Sequence, residues 1–248
     1  MPQLPLYLWV LTLAGVVGIL ASTCVVVYGG AVRAGAGRRE SAALVSGMAV
    51  LFAGWLVVSS LIAGAHGYQA QLGRQIPWMP LAVAGWFVLL LALTRIPVMR
   101  RALIGPRMGS RLLLPHTFRL AEGIVFLAAM VLGLLPALFA VPAGLGDIAV
   151  GIAAPFVGRR VEQGRGTATW FTVLGIIDLV LALALGALIG FQLLPSIPPA
   201  PTIGSLPIVL VPTVAVPVLL ILHITTLAGH RAARQQETDA PQPAIHQV

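Results

Sequence analysis

The sequence lacks lysine altogether, because all fifteen of its basic residues are arginine. Without a lysine amino group the chain cannot form a Schiff base with retinal, pyridoxal phosphate or a carbonyl substrate. It also lacks the lysine that a P-loop uses to bind nucleotide phosphates. This one absence excludes retinal pigments, lysine-dependent covalent catalysis and P-loop nucleotide hydrolysis.

Cysteine is almost absent as well, since Cys24 is the only one in the chain. A single cysteine excludes an internal disulfide, a cysteine metal cluster and a dithiol redox pair. Cys24 lies inside the first long apolar run, where we interpret it as a small packing residue.

Charged residues are scarce, at 9% of 248 residues, whereas 58% of the residues are hydrophobic. Soluble globular domains contain about 25% charged residues. So few polar groups cannot cover a protein surface in water, and lipid must therefore solvate most of the chain. The composition predicts an all-α, polytopic bundle of transmembrane helices.

Seven segments are apolar over the roughly 20 residues that cross a bilayer. The predicted spans are 4–29, 42–65, 78–97, 113–135, 137–158, 167–191 and 204–228. Residues 1–229 are thus expected to form one helical bundle, and the polar segment 230–248 a disordered cytoplasmic tail. The fourth and fifth spans meet so closely at Pro136 that a single interrupted unit is the alternative to two crossings.

Arginine placement predicts the orientation of the bundle. Thirteen of the fifteen arginines follow the first, third, fifth and seventh spans, whereas the opposite side has only Arg74. The positive-inside rule then places the N-terminus outside and the C-terminus inside, as expected in a bacterial inner membrane. Arginines that flank apolar runs are typical of orientation signals and of contacts with anionic lipid. The expected partners are therefore membrane lipids and no nucleic acid.

Only a few charged residues and histidines fall deep inside the predicted spans. Each is a candidate for function, because a charge at the bilayer centre costs about 2.5–3.5 kcal/mol on insertion scales. The candidate residues for binding a substrate or an ion are Asp147, Asp178, Arg119, Glu122, His223 and His116. In the predicted orientation all six map to the middle or the cytoplasmic half of the membrane.

The charges of these candidates do not balance. Three acids facing one permanent cation cannot all be ionised at low cost, so we expect one acid to be protonated or to face a protonated histidine. Such a group is suited to proton exchange. Structural alternatives stay open: Arg119 and Glu122 can pair near the headgroups with the arginine reaching towards lipid phosphate, and Asp147 can cap a helix.

A broken helix is predicted directly before Asp147, because proline and glycine sustain a helix poorly. Discontinuous helices at membrane depth build ion and substrate sites. The residues of this predicted break are Pro142, Gly144 and Gly146. Three further prolines should bend or loosen the last span ahead of His223. They are Pro207, Pro212 and Pro217.

The pattern favours a proton- or ion-coupled transporter of a small molecule, with a polar site inside the membrane. Three alternatives stay open: an intramembrane enzyme acting on a lipid or isoprenoid, a b-haem protein, and a sensor or assembly subunit. Haem would require His116 and His223 as axial ligands. A zinc-dependent lipid hydrolase would add Asp147 or Asp178 to those histidines. No spacing matches a known signature, so the sequence assigns no cofactor, metal, enzyme activity or oligomeric state.

Overall fold

A computed structural model of the chain describes residues 4–69, 78–105, 108–194, 197 and 200–238. Within these residues the chain forms nine α-helices and no strand, which confirms the predicted all-α class. The helices are α1 (Leu6–Arg33), α2 (Arg38–Gly64), α3 (Trp78–Leu93), α4 (Pro97–Leu103), α5 (Met108–Arg111), α6 (Arg119–Val131), α7 (Ala137–Glu162), α8 (Thr169–Gly190) and α9 (Val216–Thr238).

Six stretches of the described chain are long and apolar enough to cross a membrane, which indicates an integral membrane protein. They are Leu6–Arg33, Arg38–Gly64, Met108–Val131, Ala137–Glu162, Thr169–Gly190 and Val211–Arg231. A seventh is present if α3 and α4 are taken together, although the two helices are bent by 91° at a short break. α6 and α7 belong to two separate stretches, each long enough to cross, which favours two crossings over one interrupted unit at Pro136.

We call the bend between α3 and α4 the elbow. Because of this bend, α4 runs nearly perpendicular to α3. α4 buries Met99, Ala102 and Leu103 against the bundle. Its outer face carries the exposed Arg100 and Arg101. An amphipathic helix that lies across the spans has the geometry of a helix at the membrane interface.

α6 and α7 form a close antiparallel pair. A Cβ atom on Gly123 would collide with the carbonyl oxygen of Gly144, and one on Gly151 would collide with Leu120. Residues later in α6 therefore meet residues earlier in α7, as antiparallel helices require. Glycine allows the two backbones to touch, as small residues do at many transmembrane helix contacts.

α7 is continuous, so the helix break predicted at Pro142, Gly144 and Gly146 is wrong. Pro142 lies near the start of the helix, where its missing N–H removes only one intrahelical hydrogen bond. The two glycines are contact points instead, with Gly144 packed on α6 and Gly146 packed on α8. Asp147 consequently lies within an uninterrupted helix and caps nothing, which also removes the capping alternative.

Irregular helical backbone leads into two of the helices, α6 and α9. Residues Leu114–Phe118 form a 3₁₀ helix that leads into α6, and Val211–Ala215 form a π-helical turn that leads into α9. The π turn contains Pro212, and Pro217 follows in the first turn of α9. The expected loosening ahead of His223 is therefore confirmed for these two prolines.

Two tryptophans satisfy carbonyl groups of the π turn. In an α-helix the Thr213 carbonyl would accept from the N–H of residue 217, but Pro217 has no N–H. Trp55 Nε1 of α2 donates to the Thr213 carbonyl at 2.9 Å, and Trp86 Nε1 of α3 donates to the Val214 carbonyl at 3.3 Å. The two indoles stack with their ring centroids 5.1 Å apart.

Most arginines lie at one end of the bundle, which we call the arginine end. The C-terminal part of α1 packs on α4 through Gly30, and α5 packs on α7 through Gly158 and on α9 through Gly109. Every arginine with a described side chain, apart from Arg119, lies at this end. These are Arg33, Arg38, Arg39, Arg95, Arg100, Arg101, Arg111, Arg159, Arg160, Arg165 and Arg231. The distribution is one-sided, as the sequence predicts, whereas the orientation in the membrane stays a prediction; Arg74 lies outside the described residues.

The last helix extends further than the sequence predicts. α9 continues to Thr238, well inside the segment 230–248 that we expected to be disordered. Arginine, alanine, glutamine and glutamate are strong helix formers, and they prolong the helix beyond its apolar part. Residues 239–248 lie outside the described part of the chain.

Candidate intramembrane charge cluster

Arg119 is at the centre of a buried ion-pair network. It is the first residue of α6, and none of its surface is exposed. Its Nε donates to Asp147 Oδ1 of α7 at 2.6 Å, and its Nη2 donates to Asp178 Oδ2 of α8. Three consecutive transmembrane stretches are thereby joined through one guanidinium group.

The position of Asp178 depends on Gly146. A Cβ atom on Gly146 would overlap the Asp178 carboxylate, so any larger residue of α7 would push that carboxylate away from Arg119. Gly146 directly precedes Asp147 in the sequence. One short segment of α7 therefore supplies one carboxylate and makes space for the other.

Glu122 lies one turn after Arg119 on α6 and is 1% exposed. Its side chain packs against Gly15 of α1, where a Cβ atom would come within 3.0 Å of Glu122 Cγ. Arg119 pairs with Asp147 and Asp178 across helices, and it lies near the middle of the stretch Met108–Val131. The alternative in which Arg119 and Glu122 form a pair near the headgroups is therefore wrong.

His116 and His223 stack on each other next to this network. Both are completely buried, and their ring centroids are 3.9 Å apart at an interplanar angle of 31°. Phe171 of α8 contacts both rings, with centroid distances of 6.0 Å to His116 and 5.9 Å to His223. Gly175 of α8 gives His223 its space, because a Cβ atom there would overlap the imidazole.

The six residues form one cluster, which we call the charge cluster. Its members are His116, Arg119, Glu122, Asp147, Asp178 and His223. The Arg119 charge acts on both imidazoles, and the charges of Glu122 and Asp147 act on each other. The structure therefore brings together all six candidates, each of them near the middle of its apolar stretch.

The charge cluster contains most of the buried side-chain atoms that lack a hydrogen-bond partner among the described residues. Both nitrogens of each histidine, Arg119 Nη1 and Glu122 Oε1 belong to this group. A buried polar atom without a partner costs about 1–3 kcal/mol, which a folded protein tolerates where water, an ion or a ligand completes the bonding.

Thr172 is a further member of this region that the sequence reasoning missed. It is completely buried on α8, and its Oγ1 has no hydrogen-bond partner within the described residues. Thr172 precedes Gly175 by three residues and so lies on the same helix face as the contact with His223. A threonine in a lipid-spanning helix usually bonds to its own backbone, so only the tertiary structure distinguishes this one.

The histidine pair does not fit a haem. Axial histidines point their nitrogens at the iron from opposite faces of the macrocycle, whereas His116 and His223 are stacked ring on ring. A zinc site is not supported either, because within the described part of the chain no three His, Cys, Asp or Glu residues are arranged to hold a metal ion.

With all three acids ionised, the charge cluster carries more negative than positive charge. Arg119 supplies one permanent positive charge against Glu122, Asp147 and Asp178, and the two histidines can each accept a proton. In a low-dielectric interior such an imbalance favours the uptake of a proton or another cation. The arrangement is therefore chemically suited to cation or proton binding near the middle of the apolar stretches.

A family model described as a domain of unknown function (DUF8737) matches residues 76–229, more than half of the chain. The matched region contains all six members of the charge cluster, whereas α1 and α2 lie outside it. No curated protein and no solved structure matches the chain.

Proposed function

The chain belongs to the DUF8737 family, whose description names no activity, and from the geometry of its own residues we propose that it transports a small molecule across a bacterial inner membrane. The transport is coupled to protons or another cation, which bind at the charge cluster. Asp147, Asp178 and Glu122 are the coupling carboxylates, and Arg119 holds the first two in place.

One observation carries the proposal: three acids and a single arginine lie together in the middle of apolar helices, all of them buried except Asp178, whose side chain is 18% exposed. An ionisable group at this depth is costly and is retained mainly where it serves ion or proton movement. A purely structural ion pair would need one acid for the arginine. Two further acids are present, and one of them, Glu122, has an Oε1 without a hydrogen-bond partner in the described structure.

The histidine pair supports the same proposal. His116 and His223 lie beside the ion-pair network, and their four nitrogens have no hydrogen-bond partner among the described residues. A neutral imidazole has one nitrogen that donates a proton and one that accepts a proton. A proton can therefore pass between the carboxylates and the imidazoles, with water molecules bridging them where needed.

Proton flux into liposomes tests this proposal. The purified protein is reconstituted with a trapped pH-sensitive dye, a potassium diffusion potential is imposed with valinomycin, and amino acids, sugars, organic acids and metal cations are added in turn. We expect at least one compound to change the internal pH. The Asp147→Asn and Glu122→Gln variants should lose that response by at least tenfold, because each removes an exchangeable proton.

The exposed acids Glu40 and Glu162 provide matched controls. Glu40→Gln and Glu162→Gln also remove one carboxylate each, but far from the charge cluster, and they should keep the flux within twofold of the wild type. The amount of inserted protein and its circular dichroism are measured for every variant. Wild-type flux in both cluster variants, or equal losses in the control variants, would contradict the proposal.

A further inference from the structure

A second charged site lies on the surface, at the elbow between α3 and α4. A cavity of about 340 Å³ opens there. It is lined by Arg95, Pro97, Arg100, Arg101 and Ile104. The lining thus combines three guanidinium groups with two apolar side chains and includes no acid.

The three arginines converge because of the 91° bend. Arg95 precedes α4, whereas Arg100 and Arg101 lie on its exposed face, one turn further along. Arg101 Nε donates to the Pro97 carbonyl at 3.3 Å, which holds this side chain against the elbow. A straight continuation of α3 would carry Arg100 and Arg101 away from Arg95 along the helix axis.

Guanidinium groups are the side chains that bind phosphate best, because their planar N–H groups match two phosphate oxygens at once. Two or three guanidiniums at one cavity favour a single anionic group over dispersed counter-ions. The volume is within the range of ordinary small-ligand sites and is ample for a phosphate group with its substituents.

The surroundings of the cavity favour a lipid over a free phosphate. Ile96 at the bend is 45% exposed, and Val88 and Leu89 on the last turns of α3 are 62% and 43% exposed. Val88 and Leu89 belong to α3, which together with α4 is apolar enough to cross a membrane, and Ile96 lies at the bend that follows, so acyl chains can pack along them. The guanidinium groups lie at the end of this apolar surface, where a phospholipid carries its phosphate.

We propose that the elbow is a binding site for the phosphate of an anionic phospholipid, held by Arg95, Arg100 and Arg101. The acyl chains of the lipid pack on the exposed apolar face of α3. This site is separate from the charge cluster and does not depend on the transport proposal.

Lipid titration of the full-length protein in an uncharged detergent tests the site. Dioctanoyl phosphatidylglycerol should bind to the wild type with a dissociation constant at least tenfold lower than that of dioctanoyl phosphatidylcholine, measured by calorimetry. The triple variant R95Q/R100Q/R101Q should lose this preference. Glycerol 3-phosphate, which lacks acyl chains, should bind at least tenfold more weakly than phosphatidylglycerol.

The triple variant R159Q/R160Q/R165Q is the matched control, because it removes the same charge from the arginine end outside the elbow. It should keep the preference for phosphatidylglycerol within twofold of the wild type. Equal losses in the two glutamine variants would show diffuse electrostatic attraction and overturn the site. Equal binding of glycerol 3-phosphate and phosphatidylglycerol would overturn the assignment to a lipid.

A charge-retaining variant separates binding from folding. R95K/R100K/R101K keeps three positive charges but loses the planar donor geometry, so it should bind phosphatidylglycerol more tightly than the glutamine variant and less tightly than the wild type. If the lysine and glutamine variants bind equally weakly, the loss comes from disturbed folding and the proposal fails.

Discussion

At the scale of single residues, the buried polar groups fall into two kinds. Ser59 and Thr213 are hydrogen-bonded to each other at 2.8 Å, and Ser59 also bonds to the Tyr68 hydroxyl at 3.2 Å. Such satisfied groups stabilise the contact between helices. The histidines and Glu122 of the charge cluster are equally buried but keep atoms without hydrogen-bond partners in the described structure. This difference separates a structural network from a candidate functional one.

The six cluster residues could be predicted because ionisable groups are rare in lipid-spanning sequence. Their position along each span was enough to group them, because residues at the same depth in a small helix bundle lie close to one another. Their individual contacts could not be predicted. The partner of Arg119 depends on which faces α7 and α8 turn to it, and Gly146 decides how closely Asp178 approaches.

Gly146→Ala tests the packing beneath this network. The added methyl group would overlap the Asp178 carboxylate, so Asp178 has to leave its position at Arg119. Overpacking of this kind costs about 1–3 kcal/mol. We expect the free energy of unfolding to fall by that amount, measured by titrating the detergent-solubilised protein with sodium dodecyl sulfate.

Gly54→Ala is the control for this substitution. Gly54 lies inside α2, and a Cβ atom there has no neighbour within 4 Å among the described residues. Alanine is the better helix former by roughly 0.5–1 kcal/mol, so this variant should be as stable as the wild type or more stable. A Gly146→Ala variant of unchanged stability would contradict the close contact between α7 and Asp178.

At the scale of elements, proline and glycine have different effects in different helices. In α7, Pro142 and two glycines leave the helix continuous because the glycines are matched to close neighbours. Before α9, Pro212 and Pro217 coincide with a π-helical turn. The sequence shows where proline and glycine weaken a helix. It does not show which neighbouring residues pack against those positions, and this packing decides whether the helix stays continuous. The 3₁₀ helix at Leu114–Phe118 was missed for the same reason.

Trp55→Phe tests the support of the π turn. Phenylalanine keeps most of the ring but has no N–H, so the Thr213 carbonyl loses the donor that replaces the missing N–H of Pro217. A buried acceptor left without a partner costs about 1–3 kcal/mol. We expect a loss of unfolding free energy in this range, measured in the same detergent titration.

Two further variants make this prediction specific. Trp78 is 46% exposed at the start of α3, so Trp78→Phe should change the unfolding free energy by less than about 0.5 kcal/mol. Pro217→Ala restores an N–H at residue 217. The cost of Trp55→Phe should therefore be smaller in the Pro217→Ala background, and an equal cost in both backgrounds would disprove this role of the indole.

At the scale of the whole molecule, charge is segregated between one end and the centre. All arginines with described side chains except Arg119 lie at the arginine end, a separation that composition and loop positions predicted well. The sequence did not predict the 91° bend between α3 and α4. The apolar run 78–97 is long enough for one straight span, and a proline in it does not by itself indicate a bend of this size. Loop charge therefore predicts the clustering of arginines at one end of the bundle better than the path of each helix.

Cysteine labelling tests the orientation, and the single native cysteine makes it simple. In a Cys24→Ala background, a cysteine is placed at Gln163 in the turn after α7 or at Leu193 after α8. Gln163 lies at the arginine end and Leu193 at the opposite end. In intact bacterial cells made permeable only at the outer membrane, an impermeant maleimide should label Leu193→Cys but not Gln163→Cys.

Breaking the inner membrane should make both positions reactive, which shows that each cysteine is accessible in the folded protein. The reverse pattern in intact cells would place the arginine end outside and contradict the positive-inside orientation.

The antiparallel pairing of α6 and α7 also bears on how the protein is made. Arg119 and Asp147 lie on consecutive helices joined by a short turn, so the ribosome completes both members of this ion pair before it reaches Asp178. A lone arginine at the bilayer centre costs about 2.5–3.5 kcal/mol on insertion scales. The order of the chain thus allows Arg119, whose charge is costly to insert into lipid, to pair with Asp147 while the two helices enter the membrane together.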